Sequence, residues 1–387
     1  MKKEYLIIVF LLLGPILDVF SFLGIELSII IRGLFLVFAS SYLILNRKDF
    51  KILIPLLIFS IVYLLYSYLH LDLGLTNSIS SIFKFLYLPV TVLYFKYYVF
   101  PTKKDNVLTI ILFTYLYIFV FSYLFNLGSE AYLDTDGKSG YKGLFYSINE
   151  FSAIVVCLLP LVASYLIKLK KYLVLAILFI LTLMVSLLSG TKILLGGLVI
   201  TVIYLVVENF QSLYLKRNKN IRTAIIVSGV LILVLFGFLF PKTRTYENML
   251  VQNDFFKVEK VFSYEYLNRI IYNDRLTFLE NNYDEFIKGS PLEILMGKVI
   301  EKDVEIDVFD ILFKYGLIGF LVFISSFVYL SKLKKLNTVN IFSYVILVLV
   351  SLTSGHVLIK PAVAIYFALI LNERAEDENR NNNRQLQ

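Results

Sequence analysis

The sequence predicts an all-α, polytopic membrane protein. Three observations lead to this fold class: 58% of the 387 residues are hydrophobic, only 17% are charged, and apolar runs of span length recur along the chain. A segment in lipid must satisfy its own backbone hydrogen bonds, so these runs are expected to be helices. A transmembrane barrel would need shorter segments of alternating character, and the sequence has none.

One long hydrophilic stretch divides the predicted spans into two groups. We expect a membrane bundle over residues 1–240, a loop with amphipathic helices over 241–306, the last spans over 307–372 and a disordered polar tail over 373–387. The predicted spans are 5–23, 25–45, 52–69, 79–97, 106–127, 148–167, 172–190, 192–208, 223–240, 308–330, 340–355 and 357–372.

The short connections alternate between basic and non-basic along the chain. The basic set includes the connections near residues 2, 47–51 and 168–171, and the positive-inside rule places this set in the cytoplasm. Both termini are then cytoplasmic, the 241–306 loop is extracytoplasmic, and the protein is expected in the cytoplasmic membrane. The net charge of +8 follows from this distribution, and no nucleic-acid partner is predicted.

Metal and disulfide chemistry have little support in the sequence. Cys157 is the only cysteine and the chain has two histidines, so we expect neither an internal disulfide nor a clustered zinc site. No cofactor is predicted.

Several ionisable side chains fall inside or at the ends of predicted spans, where they are costly and commonly functional. With the predicted orientation they all lie toward the outer side, which is the arrangement that an anionic headgroup such as a pyrophosphate requires. Two simpler explanations remain open: pairing of Asp18 with Arg32, and extension of Lys84 and Lys360 to the interface. The residues are Asp18, Arg32, Lys84, Lys192, Lys314 and Lys360.

The loop contains a segment with helical apolar spacing. Residues 263–288 are predicted to form one or two amphipathic helices on the outer surface, with Arg269 and Arg275 as candidate cations. The alternative is a solvated helix face with Arg–Glu pairs. The apolar positions are Tyr264, Leu267, Ile271, Leu279, Tyr283 and Phe286.

Carboxylates precede the tenth predicted span. At helical spacing Asp303, Asp307, Asp310 and Lys314 fall within about 60° of one another and form one stripe. Carboxylates at the water–lipid boundary can accept a proton from a sugar hydroxyl. The alternative is a set of helix N-terminal acids stabilised by the helix dipole, with Asp310 and Lys314 as an i,i+4 pair.

Two further polar residues stand at predicted outer turns. His356 follows Gly355 at the last of these turns. Asn149 opens the sixth span, where it could cap the helix or bind sugar.

Short motifs occur in a fixed order along nearly the whole chain. They are Gly14-Pro15-Ile16-Leu17-Asp18, Arg32-Gly33, Gly143-Leu144-Phe145 with Asn149-Glu150, Ser189-Gly190-Thr191-Lys192, Asn273-Asp274-Arg275, Met296-Gly297-Lys298, Glu305-Ile306-Asp307 with Asp310, Tyr315-Gly316, and Ser354-Gly355-His356. In order, spacing and topology the chain resembles the O-antigen ligase/polymerase superfamily, in particular the Wzy-type repeat-unit polymerases of Gram-positive capsule, exopolysaccharide and teichuronic acid pathways.

The resemblance implies a metal-independent, lipid-carrier-dependent glycosyltransferase related to the GT-C class. Such enzymes act on undecaprenyl-pyrophosphate-linked oligosaccharides at the outer leaflet, where basic residues hold the donor pyrophosphate and an acceptor hydroxyl attacks the anomeric carbon. We therefore predict Lys192, Arg275, Arg269, Arg32 and Lys84 as pyrophosphate ligands; Asp307, Asp310 and His356 as catalytic residues; and Asn149 and Glu305 as acceptor-binding residues.

Two departures from the resembled family affect this prediction. The family commonly has Arg after the Ser-Gly pair, whereas this chain has Lys192, which weakens bidentate phosphate binding. Ligases place a His near the end of the large loop, whereas this chain has Glu305 and Asp307, which favours a polymerase.

Other functions fit the same architecture. An O-antigen-type ligase, a SEDS-like glycan polymerase, and a flippase or transporter of the lipid-linked unit stay open as alternatives. The expected partners are the undecaprenyl-pyrophosphate-linked glycan and membrane lipid, with a chain-length regulator and a flippase as further candidates.

Overall fold

The computed structural model confirms the all-α fold class. It describes residues 3–71, 73–97, 104–131, 140–215, 275–300, 302–331, 337–355 and 357–371, and isolated positions between 237 and 272. The regular structure of these residues is helical apart from one antiparallel pair of short strands, β1 (Ser129–Glu130) and β2 (Tyr141–Gly143). The predicted tail over 373–387 lies outside the described residues.

The helices follow the apolar runs of the sequence. They are α1 (Lys3–Phe22), α2 (Leu27–Leu45), α3 (Phe50–Leu69), α4 (Gly74–Lys96), α5 (Lys104–Leu124), α6 (Ile148–Lys168), α7 (Tyr172–Ser189), α8 (Lys192–Leu215), α9 (Arg275–Ile287), α10 (Pro291–Met296), α11 (Asp307–Ser331), α12 (Thr338–Thr353) and α13 (Pro361–Leu371).

Every predicted span except 223–240 falls on an observed helix. That span lies outside the described residues apart from Gly237. The largest boundary differences are in α8, which ends at Leu215 instead of 208, and in α4, which begins at Gly74 instead of 79 and so places Lys84 further from the helix start than predicted.

Length and composition identify a multi-pass membrane protein. Within the described part of the chain, 7 helices are long and apolar enough to cross a membrane, namely α2 to α7 and α11. Shorter apolar helices cover Ile7–Phe22, α12 and α13.

The chain divides into two compact units that alternate along the sequence. Unit one comprises Met1–Ser28 and Pro101–Asn273, and unit two comprises Ile29–Phe100 and Asp274–Gln387. The division near residue 273 falls inside the predicted 241–306 loop, so α9 and α10 belong to unit two.

In unit one, α6 is the central helix. It packs against α5, α7 and α8, and 78% of the residues in an 18-residue apolar stretch of the helix are buried. Gly197 on α8 permits this approach, because a Cβ there would overlap the side chain of Val156 on α6. Near the start of α6, Phe151 stacks on Phe119 and Phe145, with ring centroids 5.2 and 4.6 Å apart.

In unit two, α4 is the central helix. It packs against α3, α11 and α13, and 67% of the residues in an 18-residue apolar stretch of the helix are buried. Phe35 of α2 meets the ring of Tyr94 of α4 edge to face at 5.9 Å. The aromatic contacts therefore hold α2 along α4.

Helix α11 is broken at Gly316. Its φ and ψ of 67° and −176° are not helical, so a short segment from Asp307 to Tyr315 precedes the remainder of the helix. The sequence predicted one continuous span over 308–330. The difference arises because Gly316 adopts a left-handed φ that glycine accepts without steric cost.

The break is stabilised by close backbone packing against the end of α10. Gly297 and Gly316 lie so near each other's segments that a Cβ on Gly297 would overlap the carbonyl of Lys314, and one on Gly316 would overlap the backbone of Leu295 and Gly297. Both glycines are therefore required by space as well as by their positive φ values.

Carbonyl groups near the break accept hydrogen bonds from outside the helix. The backbone N–H of Lys298 donates to the carbonyl of Phe313 at 3.0 Å, and the hydroxyl of Tyr63 donates to that of Lys314 at 3.0 Å. The hydroxyl of Tyr66 donates to Gly297 O at 2.8 Å. These donors satisfy groups that would be costly to leave unpaired inside a membrane protein.

Candidate functional site

Helix α9 lies antiparallel to the segment that joins α10 to α11. We call this segment the connector and define it as residues 297–306, of which 301 lies outside the described residues. The side chains that bind the connector are spaced on α9 as one helix face. The contacts are Arg275 with Glu305, Lys302 Nζ over the Phe278 ring at 3.9 Å, Asn282 Nδ2 donating to Lys302 O at 3.0 Å, and Lys298 Nζ with Glu285 Oε2 at 3.2 Å.

The predicted apolar face of the loop helix is only partly observed. Phe286 is buried and its ring lies 5.3 Å from that of Phe313, but Tyr283 is exposed. Of the other predicted positions, Leu267 and Ile271 lie outside the described residues. The polar face that binds the connector was not predicted, because its partners are on a different segment.

Arg275 joins three segments of unit two. Its Nε and Nη2 donate to Glu305 Oε2 at 3.1 and 2.5 Å, and its Nη1 donates to the carbonyl of Thr353 at 3.4 Å. The Arg275 side chain is 11% exposed and that of Glu305 is 39% exposed. Arg275 therefore pairs with a glutamate, but this glutamate lies on the connector and the Arg275 side chain is largely buried, which differs from the solvated helix face expected as the alternative.

Glu305 and Gly355 pack against each other, and both have a left-handed backbone conformation. Their φ values are 60° and 61°, and a Cβ on Gly355 would lie 2.7 Å from the carbonyl carbon and oxygen of Glu305. The left-handed conformation is uncommon for a non-glycine residue and is retained only where the surroundings fix it. The connector and the turn after α12 are thus fixed together.

Asp307, the first residue of α11, holds the turn after α12. Its Oδ2 accepts hydrogen bonds from the backbone N–H groups of Val357 and Leu358, both at 2.9 Å, and the residue is 1% exposed. These contacts give Asp307 a positioning role. The predicted role as a catalytic base stays a prediction.

Asp310 holds the connector in a similar way. Its Oδ1 accepts a hydrogen bond from the backbone N–H of Val304 at 2.8 Å, and the residue is 3% exposed. Lys314 pairs with Asp303 at 2.6 Å. Because α11 begins at Asp307, Asp303 lies on the connector and not on a helical stripe, which corrects that part of the sequence prediction.

Arg32 and Lys84 lie on neighbouring helices of unit two. Gly33 follows Arg32 on α2, and Phe83 precedes Lys84 on α4. A Cβ on Gly33 would be 3.7 Å from Cε2 of Phe83, so Arg32 and Lys84 lie at similar positions along these two helices. Both cationic side chains are half-buried.

The broken helix α11 contacts α4 close to Lys84. The hydroxyl of Tyr315 donates to the carbonyl of Ser81 on α4 at 2.8 Å, and its ring lies 4.8 Å from that of Phe85. Lys314, the preceding residue, therefore lies near the level of Lys84. Unit two has basic residues on α2, α4 and α11 at similar heights.

Lys192 begins α8 in unit one. It follows Gly190, which ends α7 in the left-handed conformation at φ 69° and ψ 13°. Thr191 Oγ1 lies 3.2 Å from both Ser152 Oγ on α6 and Ser189 Oγ on α7. This buried hydroxyl cluster fixes the turn and hence the position of Lys192.

Asn149 is the second residue of α6 and is half-buried. The N-cap of this helix is Ser147, whose side chain accepts from the backbone N–H of Glu150 at 3.4 Å. Capping by Asn149, one of its two expected roles, is therefore wrong. Sugar binding by Asn149 stays a prediction.

Asp18 accepts a hydrogen bond of 2.5 Å from the hydroxyl of Tyr115 within unit one. Of the other predicted site residues, His356 and Arg269 lie outside the described residues.

The residues that fix the break in α11 were not predicted. In the sequence, Tyr63 and Tyr66 are ordinary aromatic residues of an apolar span, and Gly297 and Gly316 are noted only as members of short motifs. A glycine inside an apolar helical run is a signal that could have indicated the break.

The apolar helices define a multi-pass membrane protein, and unit two contains a partly buried ion pair between Arg275 and Glu305. The family model described as O-antigen ligase like membrane protein matches residues 1–265, more than half of the chain. The chain belongs to this family, and membership supports a function in membrane glycan processing. No curated protein gives a significant match. Arg32, Lys84, Asn149 and Lys192 lie inside the matched range, and Arg275 and the connector follow it.

Proposed function

We propose that the chain polymerises undecaprenyl-pyrophosphate-linked oligosaccharide repeat units at the outer leaflet of the cytoplasmic membrane. In this proposal it is a metal-independent glycosyltransferase of cell-surface polysaccharide biosynthesis. Family membership supports the general class of reaction. The basic residues Arg32, Lys84 and Arg275 of unit two support an anionic, lipid-linked donor.

The donor pyrophosphate is bound by cations. Arg275 is its principal ligand in unit two, with Arg32 and Lys84 as further candidates there, and Lys192 and Arg269 are the ligands predicted from the sequence in unit one. Arg275 offers a planar set of N–H donors that matches two phosphate oxygens, whereas Lys192 offers a point charge. Their positive charge stabilises the diphosphate as the glycosidic bond breaks.

The acceptor sugar is bound and activated by polar groups. Asp307, Asp310 and His356 are the predicted catalytic residues, and Asn149 and Glu305 are the predicted acceptor-binding residues. The backbone hydrogen bonds of Asp307 fix Val357 and Leu358 after α12, and that of Asp310 fixes Val304 of the connector. Fixed groups of this kind assist catalysis because they need little reorganisation during the reaction.

The observation that carries the proposal is the placement of Arg275. Its guanidinium is largely buried where α9, the connector and the end of α12 meet, and its observed partner is a carboxylate, Glu305. A buried guanidinium bound to a carboxylate oxygen has the charge and geometry that phosphate recognition uses.

A ligase is the second candidate, because the family description names that activity. A ligase would transfer finished chains to another acceptor, so its lipid-linked donor would disappear without growing longer. A flippase would instead move the repeat unit across the membrane.

The lipid-linked products of a deletion strain test the proposal. Loss of a polymerase leaves single repeat units on their lipid at the outer surface, whereas loss of a flippase leaves them inside. Loss of a ligase leaves full-length chains on the lipid. Persistence of a normal ladder of chain lengths in the deletion strain would refute the proposal.

A further inference from the structure

Glu305 of the connector and two carboxylates at the start of α11 lie in three different environments. Asp307, immediately after it, is 1% exposed, and Asp310 in the following turn is 3% exposed; both accept backbone N–H groups. Glu305 is 39% exposed and binds the side chain of Arg275. Of these three carboxylates, Glu305 is the one that solvent and substrate can reach most readily.

The pairing of Glu305 also has a particular backbone setting. Its backbone has a left-handed φ of 60° and packs against Gly355, while the neighbouring Val304 is fixed by Asp310. The side chain can therefore change partner while the backbone around it is held by neighbouring contacts.

From this geometry we infer that Glu305 is exchanged for the donor diphosphate on Arg275 and then acts as the base for the acceptor hydroxyl. The inference rests on the proposed function. Before the donor binds, the Glu305 carboxylate neutralises a largely buried guanidinium. A diphosphate presents more negative charge and several acceptor oxygens, so it replaces the carboxylate on Arg275.

The released carboxylate then takes part in the transfer. The acceptor hydroxyl gives its proton to Glu305 as its oxygen forms a bond to the anomeric carbon of the donor. The bond from that carbon to the diphosphate oxygen breaks, and its electron pair leaves with the diphosphate, whose charge Arg275 stabilises.

Two opposite effects of Glu305→Gln test the exchange. The full-length protein in lipid nanodiscs is titrated with undecaprenyl diphosphate, and elongation is measured with lipid-linked units extracted from the deletion strain. Removing the competing charge should tighten diphosphate binding by about threefold or more. Removing the base should slow elongation by about 100-fold or more.

Glu285→Gln is the matched control. Glu285 pairs with Lys298 at 3.2 Å at the opposite end of the same contact between α9 and the connector, and its side chain is 61% exposed. The Glu285→Gln variant loses one negative charge and one ion pair, as Glu305→Gln does. We expect unchanged diphosphate binding and unchanged elongation.

If Glu305→Gln lowers the melting temperature more than Glu285→Gln does, its slower elongation could come from lost stability. Glu305→Asp is the second variant for this case. It keeps the carboxylate, so its elongation should exceed that of Glu305→Gln. The inference is overturned if Glu305→Gln binds the diphosphate no more tightly than the wild type, if it elongates at the wild-type rate, or if Glu305→Asp is no faster than Glu305→Gln. Failure of the wild type to elongate the units would instead refute the proposed function.

Discussion

Tyr66 on α3 donates a hydrogen bond of 2.8 Å from its hydroxyl to the carbonyl of Gly297, at the start of the connector. Both residues are buried. With Tyr63, which donates to Lys314 O at 3.0 Å, it fixes the segments beside the break in α11. The shape of the connector therefore depends on a helix more than 200 residues earlier in the chain.

Tyr66→Phe should destabilise unit two. The substitution keeps the ring but leaves the buried Gly297 carbonyl without its donor, at a cost of about 1–3 kcal/mol. Thermal unfolding of the purified protein in nanodiscs measures this effect. Tyr68→Phe on the exposed side of the same helix is the control, and an equal melting temperature for the two variants would contradict the assigned role.

Gly316→Ala should be more disruptive than a typical glycine substitution. The φ of 67° disfavours alanine, and the added Cβ would overlap the backbone of Leu295 and Gly297. A strained conformation of this kind costs about 1–3 kcal/mol before any overlap is counted. We expect low yield or a reduced melting temperature.

Gly196→Ala is the control for that experiment. A Cβ at Gly196 of α8 meets no atom within 4 Å, so this variant should be neutral or more stable by up to about 1 kcal/mol. If Gly316→Ala were as stable as Gly196→Ala, the break at Gly316 would not be present in the folded protein.

Asp307 variants separate positioning from base catalysis. The amide oxygen of Asp307→Asn can still accept from Val357 and Leu358, so a positioning role predicts that polymer synthesis is largely retained. Asp307→Ala leaves both buried N–H groups without an acceptor and should lose about 2–5 kcal/mol of stability. Polysaccharide length profiles and membrane protein levels distinguish the outcomes. Complete loss of polymer in a well-folded Asp307→Asn protein would instead support the base role.

The predicted orientation can be tested with introduced cysteines. The native Cys157 is buried, so it should contribute little background to labelling. A membrane-impermeant thiol reagent should modify Asp284→Cys on α9 in intact cells. It should modify Asn46→Cys, at the start of the turn between α2 and α3, only after the membrane is permeabilised. The reverse pattern would show that the connector is on the cytoplasmic side.

The sequence predicts most of the helices because each span carries its own apolar run. Helices α5, α6 and α7 begin or end within a few residues of the prediction for this reason. The break at Gly316 was not predicted, because the apolar pattern continues through it and the donors that stabilise it, Tyr63 and Tyr66, are far away in sequence.

The candidate site was predicted in its residue types more than in its contacts. Arg275 and Glu305 were both singled out, but their mutual pairing depends on how α9 folds against the connector. The stripe of carboxylates assumed a helix that reaches back to Asp303, whereas the helix begins at Asp307. Long-range backbone hydrogen bonds then decide the roles of Asp307 and Asp310, and these cannot be read from local spacing.

The central claim is tested most directly by reconstituting the full-length protein with lipid-linked repeat units extracted from the deletion strain. The wild type should convert single units into a ladder of longer lipid-linked chains, while Arg275→Ala and Lys192→Ala should leave them unextended at equal protein levels. Wild-type protein that leaves the units at their original length, or either variant that still produces the full ladder, would contradict the assignment of these residues to a repeat-unit polymerase.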